Sequence, residues 1–141
     1  MTTRLNPPAS IVFFGLDESL AAELRDSLRD PRRSVHSKPL SSVSECRRAI
    51  HRLGADLVFC PAEEGRYRVL LEAVKMSKPE IPVVVVSRHP QVSQWLDALE
   101  DGAADYCAAP FETVQLQWIL DSCLHGRGVS PDRQKPAGKV L

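Results

Sequence analysis

A thiol and two carboxylates lie close together near the middle of the chain, in the stretch GADLVFCPAEEG at residues 54–65. The apolar run LVFC ends in Cys60 and predicts a buried strand, and Glu63 and Glu64 follow it directly. Cys60 together with His89 could in principle form a nucleophile and its base. The sequence offers no third group that would orient such a pair, so a cysteine-dependent enzyme is an improbable interpretation of this strand end.

The composition indicates one globular domain. The chain has 141 residues, of which 43% are hydrophobic and 26% are charged, as in ordinary globular proteins. No apolar run approaches the length of about 20 residues that a membrane helix needs, and the first residues do not resemble a signal peptide, so we expect a cytoplasmic protein without membrane contact. The cysteines are far apart and predict buried free thiols, with no disulfide framework and no metal site: Cys46, Cys60, Cys107 and Cys123.

The charges of the chain sum to zero but are segregated along it. Residues 25–52 carry eight basic residues against three acids. Residues 91–121 carry six acids and no Lys or Arg. We therefore expect two surfaces of opposite potential, which bear on the choice of partner and leave the fold unaffected.

Five short apolar segments alternate with helical patterns. The predicted strands are Ser10–Phe14, Ser34–Ser37, Leu57–Cys60, Ile81–Ser87 and Tyr106–Ala108. Between and after them, apolar residues recur every three or four positions, which predicts five helices. The fourth helix carries Val92, Trp95, Leu96 and Leu99 on one face. Regular alternation of strands and helices predicts a parallel sheet covered by helices on both faces.

The expected domain covers residues 10–125. Residues 1–9 form an N-terminal extension in this prediction. Residues 126–141, GRGVSPDRQKPAGKVL, are rich in Gly, Pro and charge and predict a flexible tail or a linker.

Three phrases of the sequence resemble the receiver domain of two-component response regulators, the CheY-like family. GAADYCAAPF at residues 102–111 is similar to the family phrase GA-x-DY-x-x-KPF, ADLVFC to PDLVLLD, and IPVVVVSRH to IPVIMLTAH. The resemblance covers roughly residues 10–125. It implies a flavodoxin-like α/β fold of three layers, with a doubly wound parallel sheet in strand order 2-1-3-4-5 and the functional site at the carboxyl ends of the strands.

The resemblance also implies that the family's phosphorylation residues are missing here. The two acids that hold Mg²⁺ in the family fall on Gly15 and Leu16, the phosphoacceptor aspartate on Pro61, and the lysine on Ala109. None of these four can act as nucleophile, metal ligand or cation. We therefore expect a degenerate receiver with no cofactor, no bound metal and, in particular, no Mg²⁺.

Other family positions are retained. Ser87 matches the hydroxyl residue after the fourth strand, and Tyr106 matches the aromatic residue whose rotamer reports activation. Pro110 matches a proline that follows a cis peptide bond, so a cis bond is expected before it.

Three displaced acids keep a phosphorylation hypothesis open. Asp17 could be a displaced metal ligand, and Glu63 or Glu64 could serve as a displaced phosphoacceptor or imitate a phosphorylated aspartate near Ser87. Each also fits a simpler interpretation as a cap or first-turn acid of a helix.

The last helix suggests where a partner binds. If Leu116 and Leu120 face the core, Val114 and Trp118 lie on the opposite, exposed side, and exposed Trp is typical of interfaces. The surrounding acids are Asp97, Glu100, Asp101 and Glu112. This surface predicts a protein partner with basic or mixed charge and disfavours a symmetric homodimer through the fourth helix, fifth strand and fifth helix.

The function expected from these observations is a phosphorylation-independent, receiver-like module of bacterial signalling that binds proteins and is not an enzyme. The main alternative is a phosphorylatable receiver in a phosphorelay that uses Asp17, Glu63 or Glu64. A weaker alternative is DNA binding through Arg47, Arg48 and Arg52 on the second helix. A solvated helix face explains these arginines more simply, since no base-reading motif accompanies them, so nucleic acid is an improbable partner.

Overall fold

Five β-strands alternate with five α-helices in the computed structural model, which describes residues 8–125. The strands are β1 (Ala9–Phe14), β2 (Arg33–Lys38), β3 (Leu57–Pro61), β4 (Val83–Ser87) and β5 (Asp105–Ala108). The helices are α1 (Glu18–Ser27), α2 (Val43–Leu53), α3 (Tyr67–Ser77), α4 (Val92–Glu100) and α5 (Thr113–Leu120). A short 3₁₀ turn, Glu63–Gly65, precedes α3, and a π-helical turn, Asp121–His125, follows α5.

The strands form one parallel sheet in the order β2-β1-β3-β4-β5. Side chains of α2, α3 and α4 pack on one face of it. Side chains of α1 and α5 pack on the other face. The central strands β3 and β4 are buried along their whole length, as expected for parallel strands covered on both sides. The predicted three-layer, flavodoxin-like fold is confirmed.

The boundaries of β2, at one edge of the sheet, and of the central strand β4 differ slightly from the prediction. β2 runs from Arg33 to Lys38 and is longer than expected, although it pairs only with β1. β4 begins at Val83, two residues later than expected. Pro82 has no amide hydrogen and cannot donate to the ladder, but its carbonyl still accepts a hydrogen bond from the Val58 amide.

Helix ends follow the local chemistry of the sequence. The Ser42 hydroxyl accepts a hydrogen bond from the amide of Glu45 at the start of α2, which satisfies a donor that the helix cannot pair itself. At the end of α4, Gly102 has a φ of 116°. The amides of Ala103 and Gly102 bond back to the carbonyls of Ala98 and Leu99, a Schellman motif that needs glycine at this position.

Two predicted segments lie largely or wholly outside the described residues. These are the N-terminal extension, of which residues 1–7 are not described, and the tail at residues 126–141. Within residues 8–125, no helix combines the length and the hydropathy that crossing a bilayer requires.

Candidate functional site

Four strand ends meet at the carboxyl edge of the sheet. β1, β3, β4 and β5 end at Phe14, Pro61, Ser87 and Ala108. Because the strands are parallel and adjacent, the residues that follow these ends share one edge. Pro61 pairs with Val86, and Ser87 pairs with Ala108. The structure therefore places the positions that the sequence assigned to a phosphorylation site along one edge of the sheet.

The backbone conformation at position 15 and the neighbouring Leu40 both favour glycine there. Its φ is 76°, a conformation that side chains with a Cβ rarely adopt. A Cβ added here would lie 2.7 Å from Cβ of Leu40, an atom close to the backbone that cannot swing away. The Gly15 amide donates to the Lys38 carbonyl at 2.9 Å, which ties this position to β2. Both the backbone conformation and the packing therefore disfavour a side chain at position 15.

The next two residues serve the fold of α1. Leu16 packs against the apolar cluster beneath α1 and α5. Asp17 is the N-cap of α1, where its Oδ1 atom accepts the amide of Leu20 at 2.8 Å. The same oxygen accepts from Nη2 of Arg88, also at 2.8 Å. The Leu20 hydrogen bond first, and the Arg88 hydrogen bond second, lower the pKa of Asp17 from its usual 3.8.

The end of β3 carries no polar side chain toward the edge. Pro61 and Ala62 are both buried, and the Ala62 amide donates to the carbonyl of Val86 at 3.0 Å. Glu63 and Glu64 then lie exposed in the 3₁₀ turn, where Glu64 has a φ of 59°. Neither glutamate has a hydrogen bond or ion pair to Ser87 within residues 8–125.

Ser87, Tyr106 and Ala109 make internal contacts. The Ser87 side chain is buried, and its hydroxyl accepts the amide of His89 at 3.1 Å. Tyr106 is also buried, and its hydroxyl donates to Oε1 of Gln94 at 3.0 Å. The Ala109 amide donates to the Ser87 carbonyl, and the Ala109–Pro110 peptide bond is cis.

Arg88 is a cation of this edge that sequence reasoning did not single out. Its Nη2 bonds to Asp17, 71 residues away, and its Nη1 lies 3.9 Å from Oε2 of Glu23. The arginine thereby joins the end of β4 to the beginning of α1. A basic residue directly after a buried strand was the available signal, but its partner follows only from the packing of the loops.

Three positions at this edge offer no ligand to Mg²⁺, and a fourth is already engaged. This ion prefers carboxylate and water oxygens, whereas Gly15, Leu16 and Pro61 offer no side-chain oxygen and Asp17 is engaged by Arg88. Throughout residues 8–125, no three His, Cys, Asp or Glu side chains are grouped to hold a metal ion.

The cysteines are unsuited to nucleophilic chemistry. All four are free and buried, and burial raises the pKa of Cys60, which leaves its thiol protonated. Burial also raises the pKa of Cys107 and of Cys123 to about 12. Since the thiolate is the nucleophile, Cys60 does not form a reactive pair with the exposed His89.

The second candidate region is the surface formed by α4, β5 and α5. Leu116, Ile119 and Leu120 of α5 are buried, while Val114 and Trp118 on its opposite side are 80% and 59% exposed. Of the surrounding acids, Asp97, Glu100 and Glu112 form no salt bridge within the described part of the chain. Asp101 instead accepts hydrogen bonds from the Tyr67 hydroxyl and from Nε of Arg68.

The apolar residues of α4 are also exposed. Val92, Trp95, Leu96 and Leu99 are 66%, 43%, 51% and 37% exposed. The sequence pattern predicted the helix from these residues, and the helix is present. Its apolar face, however, points away from the sheet.

The arginines of α2 form an ordinary solvated face. Arg47, Arg48 and Arg52 are exposed. Arg48 lies 3.3 Å from Glu45 in the preceding helical turn. The opposite side of α2 is buried through Cys46 and Ile50.

Known structures share this architecture across most of the chain. The CheY-like protein TadZ from Pseudomonas aeruginosa superposes with a TM-score of 0.72 at 16% identity, covering 82% of this chain and 98% of that one. The signal receiver domain of an HD domain-containing protein from Pseudomonas fluorescens gives 0.70 at 16% identity, covering 87% and 99%. The fold is that of a receiver domain.

Sequence comparison gives a partial match. The transcriptional regulatory protein ZraR of Klebsiella oxytoca is 35% identical over 89 residues, which are 60% of this chain and 20% of that protein. The matched segment therefore spans about one fifth of that relative's length. No protein-family model matches the chain.

Proposed function

We propose that this receiver fold works as a phosphorylation-independent module of bacterial signalling in the cytoplasm, acting by protein–protein contact and catalysing no reaction. The proposal rests on the observation that internal contacts take up the positions at the carboxyl edge of the sheet. Leu40 occupies the space beside Gly15, Pro61 stands at the end of β3, and Arg88 pairs with Asp17. Phosphoryl transfer to an aspartate needs a carboxylate nucleophile and a cation held by acids, and this edge supplies neither.

The surface proposed for partner binding is that of α4, β5 and α5. Trp118 and Val114 give it an exposed apolar pair on α5. Its charged residues are acidic, with six acids and no Lys or Arg in residues 91–121. A symmetric dimer through this surface would place the acids of one copy against those of the other, which is unfavourable. The proposed partner is therefore a protein with a basic or mixed surface.

Titration with Mg²⁺ and beryllofluoride, followed by amide NMR shifts, tests the loss of phosphoryl chemistry. The proposal expects no saturable shift at Ser87 or Tyr106. A saturable shift at these residues would overturn it and favour the alternative of a phosphorelay receiver with a displaced acid. Asp17→Asn, Glu63→Gln and Glu64→Gln, titrated in parallel, would then identify the acid.

The DNA-binding alternative has its own test. It predicts an affinity for duplex DNA that falls steeply with salt. It also predicts a further loss when Arg47 and Arg48 are replaced by Gln. We expect fluorescence anisotropy to show no such binding at physiological salt, because these arginines stand on a solvated helix face with Glu45 among them.

A further inference from the structure

The outer side of β2, which faces away from β1, is open along the strand. β2 is the end strand of the sheet and pairs only with β1, so within residues 8–125 no strand lies beyond it. All six of its residues are exposed or half-buried, whereas every other strand buries at least two residues. An end strand of this kind presents backbone groups that a further strand can pair with.

The hydrogen bonds between β1 and β2 identify which backbone groups point outward. The Gly15 amide donates to the Lys38 carbonyl, so Lys38 directs its backbone groups toward β1. In a β-ladder, successive residues of a strand direct their amide and carbonyl groups to opposite sides. The amides and carbonyls of Ser37 and Val35 therefore point outward, and no strand in the described part of the chain pairs with them.

Basic side chains flank these outward groups on both faces of the sheet. On one face, Nη2 of Arg25 in α1 donates to the Ser37 hydroxyl at 2.8 Å. Lys38 lies on the other face, because side chains alternate along a strand. Neither Arg25 nor Lys38 forms a salt bridge within residues 8–125, and each of the three acids in residues 25–52 already pairs with an arginine of the same stretch. The surroundings of β2 therefore carry positive charge that the protein does not neutralise.

The charges and the geometry together select the occupant of the outer side. Basic residues on an end strand disfavour its pairing with an identical strand, so the β2 strand of a second copy is an unfavourable occupant. The acidic region around β5 of a second copy would give a head-to-tail contact, which does not close and continues to add copies. An extended segment of another protein with carboxylates along its backbone satisfies both the ladder and the charge.

We propose that β2 is the docking site for an acidic, extended segment of a protein partner, which adds to the sheet as a sixth strand. The segment accepts hydrogen bonds from the amides of Val35 and Ser37 and donates to their carbonyls, while its carboxylates pair with Arg25 and Lys38. The half-buried Val35, which packs against the apolar cluster beneath α1, gives it an apolar contact. The inference goes beyond the proposed function, since β2 and β5 lie at opposite ends of the sheet.

Amide hydrogen exchange of the isotope-labelled full chain tests the inference, because it reports on each backbone donor separately. The probe is a synthetic peptide of about nine residues that alternates valine and glutamate. One control peptide has lysine in place of glutamate. A second control keeps the glutamates but carries N-methyl groups on two successive central amides, one on each edge of the peptide strand, so it has the charge and cannot form the ladder.

The expected result is a change of exchange rate confined to the outward amides. In the free protein, the amides of Val35 and Ser37 should exchange fast, and the amide of His36, which points toward β1, should exchange slowly. The acidic peptide should slow exchange at Val35 and Ser37 at least about tenfold, in a saturable manner. Neither control peptide should slow it.

Substitutions test the contribution of the charges. Lys38→Glu should weaken the binding of the acidic peptide at least about threefold. Arg25→Gln should act in the same direction without altering β2 itself. Lys75→Glu is the matched control, because Lys75 is an exposed lysine on α3, and it should leave the affinity nearly unchanged. Raising the salt concentration should weaken the binding.

Two results would show that no strand adds to β2. Slow exchange at Val35 and Ser37 before any peptide is added would mean that the outer side is already covered. Binding of the acidic peptide without slowed exchange, or equal binding of the N-methylated peptide, would reduce the interaction to a contact between charges. Either result would overturn the inference.

Two further results would overturn it by assigning a different occupant. A molar mass that rises with protein concentration in light scattering, and no longer does so in Lys38→Glu, would identify another copy of the chain. Shifts of the β2 resonances with duplex DNA, together with no response to the acidic peptide, would identify nucleic acid. The beryllofluoride titration tests the loss of phosphoryl chemistry independently of all these results.

Discussion

The carboxyl edge of the sheet and the α4 helix are organised in opposite ways. At the edge, Leu40 lies beside Gly15, Pro61 is buried, and the partly exposed Arg88 pairs with Asp17 and Glu23. On α4, hydrogen bonds face inward through Gln94 and Asp101, and apolar residues face solvent. The difference indicates that the chain satisfies the edge internally and leaves α4 available for contact.

The strongest test of this contrast compares two substitutions on α4. Ala98→Asp places an unpaired charge in a fully buried position and should cost about 3 kcal/mol or more in the free energy of unfolding. Leu96→Asp, two residues earlier on the exposed apolar face of α4, should cost less than about 1 kcal/mol. Urea denaturation followed by circular dichroism measures both. Equal losses of unfolding free energy would mean that the apolar face of α4 is packed against the protein. The contrast between α4 and the carboxyl edge would then have no basis.

Gly15→Ala tests the packing at the carboxyl edge. The positive φ at this position and the contact with Leu40 together should reduce the free energy of unfolding by about 3 kcal/mol. Gly54→Ala is the matched control, because Gly54 also has a positive φ of 59° but a Cβ there would meet nothing within 4 Å. Its cost should be about 1 kcal/mol. If the two variants lose the same stability, Leu40 does not close the edge.

The roles of Asp17 can be separated by two replacements. Asp17→Ala removes both the cap of α1 and the partner of Arg88, and should cost about 1 to 2 kcal/mol. Asp17→Asn keeps a capping oxygen and should cost less than about 1 kcal/mol, since the ion pair is partly exposed. Chemical denaturation at neutral pH gives both values. A cost for Asn as large as that for Ala would assign the stability to the ion pair instead of the cap.

A smaller effect is expected from pH. The pKa of Asp17 lies below 3.8 in the folded protein, chiefly because of the Leu20 hydrogen bond and then Arg88. A carboxyl group with a lowered folded pKa contributes stability above its unfolded pKa and loses it as the pH falls through the folded value. The difference in stability between the wild type and Asp17→Asn should therefore shrink below about pH 4. Urea midpoints measured from neutral to acidic pH follow this difference, and one that stays constant down to about pH 3 would contradict the assignment.

Much of the fold followed from local patterns. The apolar run of β4 and the leucine spacing of α5 placed these elements within a few residues of their observed positions. The strand order came from the resemblance of three phrases of the sequence to receiver domains. The edge strand β2 was predicted too short, because its burial is partial and its apolar pattern is weak.

The sequence supplied a hypothesis for the candidate site but none of its contacts. Through the resemblance to receiver domains it predicts that acids are missing at Gly15, Leu16 and Pro61. It did not reveal that Leu40 lies against Gly15, 25 positions earlier in the chain, or that Arg88 reaches Asp17. Such contacts join residues from different loops, and no periodicity within one segment encodes them.

The sequence by itself determined the alternation of strands and helices, the segregation of charge, and the presence of a proline, Pro61, at the end of the third strand. These properties depend on residue types and on short-range spacing. Only the tertiary structure decided which way α4 faces. Its apolar spacing would fit a helix packed on the sheet as well as a helix that presents this face to a partner. The orientation of α4 is set by the contacts of Ala98, Gln94 and Asp101 with the rest of the fold. These contacts leave the apolar face of the helix toward solvent.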